Sequence, residues 1–364
     1  MKNKVLRVAL IGQGFMGRAH SNAFRQVSRF FDVPWELRLQ VLCARDERRL
    51  RVNAARWGWE ETATEWRAVV ERKDIDLVDI ATPNVLHAPI AMAAAQTGKI
   101  VFSEKPLAIS AEEGARMARA ARGVPTMVWF NYRRVPAVAF ARALVDEGRI
   151  GRVYQYRGAY LQGWGNDPSR RAGWKLEKAQ AGSGVLGDLL SHVVDTAMYL
   201  NGPIAEVAAL QETFQPGRDV DDATLALVRF ANASVGSLEA TRYAVGCRNH
   251  NTFTIHGSRG MARFNLEHLN HLEFFDATED GKLQGPRSLL VTGPDHPYWR
   301  NFWKPGHVIG YEHTFIAALG DFLHALASGE EFHPNFDDAQ RVQVVLDSIS
   351  AAARTGARVV IAME

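Results

Sequence analysis

The hydrophobic pattern along the chain changes character once, near residue 130. Before that point, short β-branched runs alternate with longer stretches of helical periodicity. Val5–Ile11, Leu39–Cys43, Leu77–Ala81, Ile100–Phe102 and Thr126–Phe130 read as strands, most of them apolar on both faces. Met16–Val27, Glu47–Trp57, His87–Thr97 and Ala111–Arg122 read as helices between them. Apolar strands separated by helices predict a parallel sheet covered on both sides, because the crossover helices shield each face from water. Beyond Asn131 a helix over Ala137–Glu147 leads into alternating segments: Val153–Tyr160, Val207–Phe214, Thr224–Phe230, Ser234–Thr241, Asn251–His256 and Met261–Asn265. Alternation with turn residues such as Asn232 and Gly257–Ser258 in between predicts an antiparallel open sheet. Helical periodicity returns over Tyr311–Ala327 and Asp337–Arg354. The pattern therefore predicts an α/β domain over 1–130 and an α+β domain over 131–364.

The first strand runs into Gly12-Gln-Gly14-Phe-Met-Gly17, a GxGxxG opening a helix. In that context the first glycine makes the tight turn and the second admits a pyrophosphate. The third lets helix and strand pack closely, and the helix N-terminus favours the negative charge. A dinucleotide-binding Rossmann domain is expected. Gly182-Ser-Gly184-Val-Leu-Gly187 has the same spacing, but a polar stretch, Lys175–Gln180, precedes it instead of a buried strand, so it is rejected as a phosphate cradle. At the end of the second strand, where an acid commonly holds the ribose of NAD, Ala44 stands next to Arg45 and Asp46. Asp46 either reaches the ribose or caps the next helix, and Arg45 suits a 2′-phosphate. NAD is expected as the cofactor, with NADP as the alternative.

Composition narrows the field. A chain of 364 residues exceeds what one core usually organises, and 47% hydrophobic with 23% charged residues is the balance of a globular protein. The net charge of +3 is carried by scattered arginines, which gives no basis for nucleic-acid binding. The two cysteines, Cys43 and Cys247, form no metal or disulfide pattern, which suits a reducing compartment. His268 and His271 have metal-like spacing without a carboxylate or thiolate partner and are read as structural. No metal, no membrane segment and a cytoplasmic location are expected.

The remaining motifs carry a resemblance. Thr82-Pro-Asn84 with His87, then Glu104-Lys105-Pro106, then Gly182-Ser-Gly-Val-Leu-Gly-Asp188-Leu-Leu-Ser-His192-Val-Val-Asp195, resemble the Gfo/Idh/MocA oxidoreductases over essentially the whole chain. The resemblance implies an NAD(P)-dependent dehydrogenase of the sugar and inositol branch, with Lys105, Asp188 and His192 at the catalytic positions. It also implies that Glu104 lies near the nicotinamide end, that the Lys105–Pro106 bond is cis, and that the chain is a homodimer or homotetramer. The dinucleotide site is assigned to Gly12, Gly14, Phe15, Met16, Gly17, Arg45, Ala81, Thr82, Asn84, His87, Glu104 and Lys105.

Lys105, at the C-terminal end of a parallel strand, suits stabilisation of a developing alkoxide. Asp188 and His192, four apart, share one helix face, which Asp195 and Tyr199 would continue. His192 is the expected general base. The expected substrate shell is Arg133, Trp164, Asp167, Trp174, Asp188, His192 and His307. Aromatic rings offer flat faces to pyranose rings, and Asp167 with Asp188 would accept hydroxyl hydrogen bonds while repelling an anion. Arg133 and Arg134 cut the other way. The run Tyr311-Glu312-His313-Thr314-Phe315 is similar to members acting on sugars and anhydrosugars. The expected reaction is oxidation of a secondary hydroxyl on a neutral cyclic polyol or sugar. The alternatives are glycoside cleavage through transient oxidation and a nucleotide-binding regulator.

Overall fold

The computed structural model describes residues 4–167, 169 and 173–362. They form two compact units, Met1–Asn131 with Tyr311–Gln343, and Tyr132–Gly310 with Val344–Glu364.

The first unit is built on a parallel sheet. Its elements are β1 (Lys4–Ile11), α1 (Phe15–Phe30), β2 (Trp35–Cys43), α2 (Glu47–Trp57), β3 (Glu61–Ala63), α3 (Trp66–Glu71), β4 (Leu77–Ile80), α4 (His87–Gln96), β5 (Ile100–Ser103), α5 (Ala111–Ala120) and β6 (Thr126–Val128). The six strands lie in the order β3-β2-β1-β4-β5-β6, every pair parallel, so the order reverses between β1 and β4. Ligands of open α/β sheets bind at that crevice, off the carboxyl ends of the strands. The pattern of the sequence found each main strand. It passed over β3 and α3, which are short, and two of the three β3 residues are polar.

The second unit contains α6 (Pro136–Asp146), β7 (Val153–Leu161), α7 (Lys178–Ala181), α8 (Ser191–Asn201), β8 (Ile204–Glu212), β9 (Ala223–Phe230), β10 (Val235–Thr241), β11 (His250–Gly257), β12 (Gly260–Asn265), β13 (His271–Asp276) and β14 (Arg287–Leu290). After α9 (Tyr311–Ser328) and α10 (Phe336–Thr355), the short β15 (Val359–Val360) joins the same sheet. The order is β14-β13-β12-β11-β7-β10-β9-β8-β15, antiparallel except between β7 and β10. Alternation in β9 buries Ala226, Val228 and Phe230 and exposes Leu225 and Leu227, the pattern of a sheet with one covered face.

The compact units depart from the single cut at 130/131 that the sequence suggests, because residues 311–343 belong to the first unit. Close packing explains the return. A Cβ on Gly320 of α9 would lie 2.5 Å from the Phe31 ring, so only glycine allows that approach. Gln340 donates to the Ala111 carbonyl at 2.8 Å, and Val128 N–H donates to Pro334 O at 3.0 Å, extending the β6 edge. Among the described residues no helix is long and apolar enough to cross a membrane.

Candidate active site

In the first unit the glycine motif has the geometry its physics requires. Gly12 has φ +124°, and a Cβ there would stand 2.2 Å from the Ala81 carbonyl oxygen, at the crevice between β1 and β4. A Cβ on Gly17 would stand 2.3 Å from Gly12 O. Gly14 differs: nothing lies within 4 Å of its Cβ position, which leaves room for a ligand. Gly14 is also the N-cap of α1, with no side chain satisfying the first-turn amides and no acid in that turn. Such an end favours a phosphate group. Thr82 Oγ1 is buried without a hydrogen-bond partner. These features fit a bound dinucleotide.

The other assigned residues sort by geometry. Asp46 caps α2, its Oδ1 accepting from Arg49 N–H at 3.0 Å. Arg45 is exposed. His87 is fully buried between two loops, Nδ1 3.0 Å from Pro106 O and Nε2 3.1 Å from Thr82 O. Burial holds its pKa below the usual 6.5. His87 braces the loops after β4 and β5, the loops that carry Thr82 and Lys105. Asn84 is buried in the turn before α4, and Phe15 is exposed at the start of α1. The Lys105–Pro106 bond is cis. Beneath this loop lie His20, Asp79 and Glu104, a buried ionisable group in which the sequence reading named only Glu104. The available signal was Asp79 itself, a lone charge inside the apolar strand Leu77-Val-Asp-Ile.

The second unit holds Asp188 and His192. The five residues Leu186–Leu190 form a π-helical turn that runs into α8. Such turns carry more residues per turn than an α-helix and recur at functional sites. Asp188 and His192 meet different neighbours. His192 is buried beside the rings of Tyr132 (4.6 Å between centroids) and Tyr160 (6.0 Å). Asp188 Oδ1 accepts from Lys175 Nζ at 2.8 Å, and Oδ2 accepts from Arg242 Nη2 at 3.1 Å. Arg242 is 0% exposed, Trp164 covers its guanidinium, and its Nε and Nη1 have no protein partner. The sequence reading missed Arg242, which follows a strand with no motif around it.

Asp195 is buried and accepts from Arg133 Nε at 3.0 and 3.1 Å, while Tyr199 packs on the Arg133 guanidinium. Arg133, expected in the substrate shell, forms this buried ion pair. Asp188, expected to repel anions, carries Lys175 and Arg242 on its carboxylate. Asp167 is exposed and accepts from Ser169 N–H and Oγ–H at 2.9 and 2.7 Å. Trp164 donates to Gln162 Oε1 at 2.6 Å, and Trp174 lies beside Lys175. His307 is exposed, its Nδ1 facing Lys304 O at 3.0 Å. His313, Thr314 and Phe315 are core residues of α9, so that run packs the first unit.

The rejected glycine motif uses the same physics on an internal anion. Gly184 N–H and Leu186 N–H donate to the two carboxylate oxygens of Asp221 at 2.6 and 2.7 Å. A Cβ on Gly184 would fall 1.8 Å from Asp221 O. Cys43 and Cys247 are free thiols, and burial pushes Cys43 up to about 12. Among the described residues no group of three or more His, Cys, Asp or Glu could hold a metal ion.

Comparison with known proteins adds the lineage. A family model described as oxidoreductase family, NAD-binding Rossmann fold, matches residues 6–132, and one described as GFO/IDH/MocA C-terminal domain matches residues 138–263. Levoglucosan dehydrogenase of Pseudarthrobacter phenanthrenivorans is 41% identical over 96% of each chain. A solved structure of levoglucosan dehydrogenase in complex with NADH and levoglucosan superposes with a TM-score of 0.96 at 41% identity, covering 99% of this chain and 100% of that one. The NAD+-dependent scyllo-inositol 2-dehydrogenase of Bacillus subtilis is 29% identical over 65% of this chain and 67% of its own.

Proposed function

Because the chain belongs to the Gfo/Idh/MocA oxidoreductase family and is an NAD-binding enzyme of that family, we propose that it oxidises a secondary hydroxyl of a neutral cyclic polyol or sugar, with an anhydrosugar of the levoglucosan type as the first substrate. The observation that carries this reading is the end-to-end similarity to levoglucosan dehydrogenase, 41% over 96% of both chains.

NAD+ supplies the hydride acceptor when bound at the Gly12–Gly17 turn. The chain supplies the rest. Oxidation takes a hydride from the carbon and a proton from its hydroxyl. In this reading His192 accepts the proton, since imidazole is basic near neutral pH. Tyr132 and Tyr160 fix the plane of its ring. The Lys105 ammonium donates to the reacting oxygen and stabilises charge that develops there. Asp188, held as an anion by Lys175 and Arg242, accepts a hydrogen bond from a neighbouring hydroxyl. A hydroxyl-bearing ring suits an acceptor fixed in this way, and Trp164 offers it an apolar face.

The test is NADH formation from NAD+ with levoglucosan, glucose, myo-inositol, a sugar acid and a sugar phosphate. A neutral ring should give the highest kcat/KM. A charged substrate ahead of every neutral one by roughly tenfold would overturn the substrate class. Substrate consumption without net NADH would favour glycoside cleavage instead.

A further inference from the structure

One buried charged group of the first unit has no part in the chemistry above. His20 lies on α1 one turn beyond Gly17, and its side chain is wholly buried. Nδ1 is 2.8 Å from Asp79 Oδ2, and Nε2 is 3.0 Å from Glu104 Oε1. The remaining oxygens are also engaged. Asp79 Oδ1 accepts from the Trp129 indole N–H at 2.9 Å, and Glu104 Oε2 accepts from the Lys105 backbone N–H at 3.1 Å. The His20 ring stacks on Trp129 at 4.3 Å, with Phe315 at 5.7 Å.

The proton count is constrained. Each N···O contact of His20 needs one proton, so the three groups share two. Either the ring is an imidazolium between two carboxylates, or it is neutral beside one carboxylic acid. In both cases the cluster carries a net charge of −1. An unbalanced charge in a dry interior is costly unless a cation stands near it. Lys105 is bonded in sequence to Glu104, and its backbone amide is held by that carboxylate.

We propose that His20, Asp79 and Glu104 together anchor Lys105 and act as its counter-charge, which makes His20 and Asp79 positioning residues for the reaction. This inference rests on the reading of Lys105 given above. His20 sets the rotamer of Glu104, and Glu104 fixes the backbone at Lys105. The net negative charge behind the loop favours the ammonium over the amine. The assembly also ties the lysine to α1, the helix whose N-terminus faces the dinucleotide site. Trp129 and Phe315, which cover the ring, bring no charge. His87 of α4 faces the same loop through Pro106 O and, kept neutral by burial, adds none near neutral pH.

With His20 as the imidazolium, Glu104→Gln and Asp79→Asn each remove one carboxylate charge beside it with little change of shape. Either should lower kcat for alcohol oxidation, Glu104→Gln by roughly ten- to hundredfold and Asp79→Asn by less, and Asp79→Asn should keep KM for NAD+ within about threefold. The alkaline limb of the kcat/KM profile should move to lower pH, by on the order of one unit, because a weaker counter-charge lets the lysine lose its proton sooner. A purely structural staple would lower Tm without moving that limb. His20→Gln should also lower kcat; if it fails to fold, the two amide variants, which retain His20, carry the test. Unchanged kcat and an unmoved limb in both would overturn the proposal. Lys105→Ala in the same assay separates the two readings. If it retains turnover, the role of Lys105 fails. If it is inactive while both amide variants behave as wild type, only the anchoring cluster fails.

Discussion

Glycines 12 and 14 sit two residues apart and face opposite constraints. At Gly12 a methyl group meets the Ala81 carbonyl, on a backbone that L-residues rarely adopt. Gly12→Ala should lower Tm and abolish NAD+ binding together. At Gly14 a methyl group meets open space. Gly14→Ala should keep stability within about 1 kcal/mol while weakening NAD+ by roughly tenfold or more, since the added carbon stands where a phosphate would approach. Thermal melts beside NAD+ titrations check both, and equal loss of affinity and Tm in Gly14→Ala would contradict the assignment.

His20 adds a pH dependence. Burial alone would lower its pKa, but Asp79 and Glu104 outweigh burial and raise it to about 9. A raised pKa means stability that is fully present below the unfolded value near ~6.5 and is lost as pH rises through about 9. Urea unfolding should show this loss in wild type. It should be smaller in His20→Gln.

At the scale of elements, the two GxGxxG turns show that a motif acquires its meaning from what surrounds it. The first follows a buried parallel strand and opens a long helix with no side-chain cap and no acid in its first turn. The second opens a π-helical turn whose amides are bound by Asp221. Asp221→Ala should therefore destabilise by about 2 kcal/mol, the scale of two charge-assisted hydrogen bonds partly replaced by water. NAD+ affinity should not change. A Tm equal to wild type would show that the carboxylate contributes nothing to the turn. The helix that follows is buried almost throughout, and an ion pair joins its Asp195 to Arg133. Asp195→Ala would leave a guanidinium in the interior and should cost about 3–5 kcal/mol, measured by denaturant unfolding. Turnover of the variant that remains folded would tell whether Arg133 also reaches substrate.

At the scale of the molecule, the nine-stranded sheet leaves an apolar face uncovered in the single chain. Leu210 is 69% exposed and Leu227 67%, on neighbouring strands, with Leu225 beside them. Contiguous apolar surface of this kind marks an interaction site. The expected occupant is a second copy of the chain, as the family resemblance implied. Light scattering should give a homodimer or homotetramer for wild type. Leu227→Glu should reduce the mass by placing a charge on that face. A monomeric wild type would remove the expectation.

What the sequence determined by itself was everything governed by short-range periodicity and spacing. The parallel sheet was legible because its strands are apolar on both faces, and the antiparallel sheet because its strands alternate. The dinucleotide turn was legible because glycine is needed where backbones nearly touch, a requirement written in adjacent residues. The tertiary structure decided the partners of charges. Nothing near Arg133 in the sequence announces Asp195, and nothing near Asp188 announces Arg242. The separations are too long for any local pattern to encode, and the choice depends on which strands and helices become neighbours. The same holds for Tyr311–Gln343, which the chain order assigns to the second domain and close packing at Gly320 returns to the first. His20 combines both kinds of information: its place after Gly17 is local, but its charge depends on Asp79 of β4 and Glu104 just after β5, brought together only when the sheet forms.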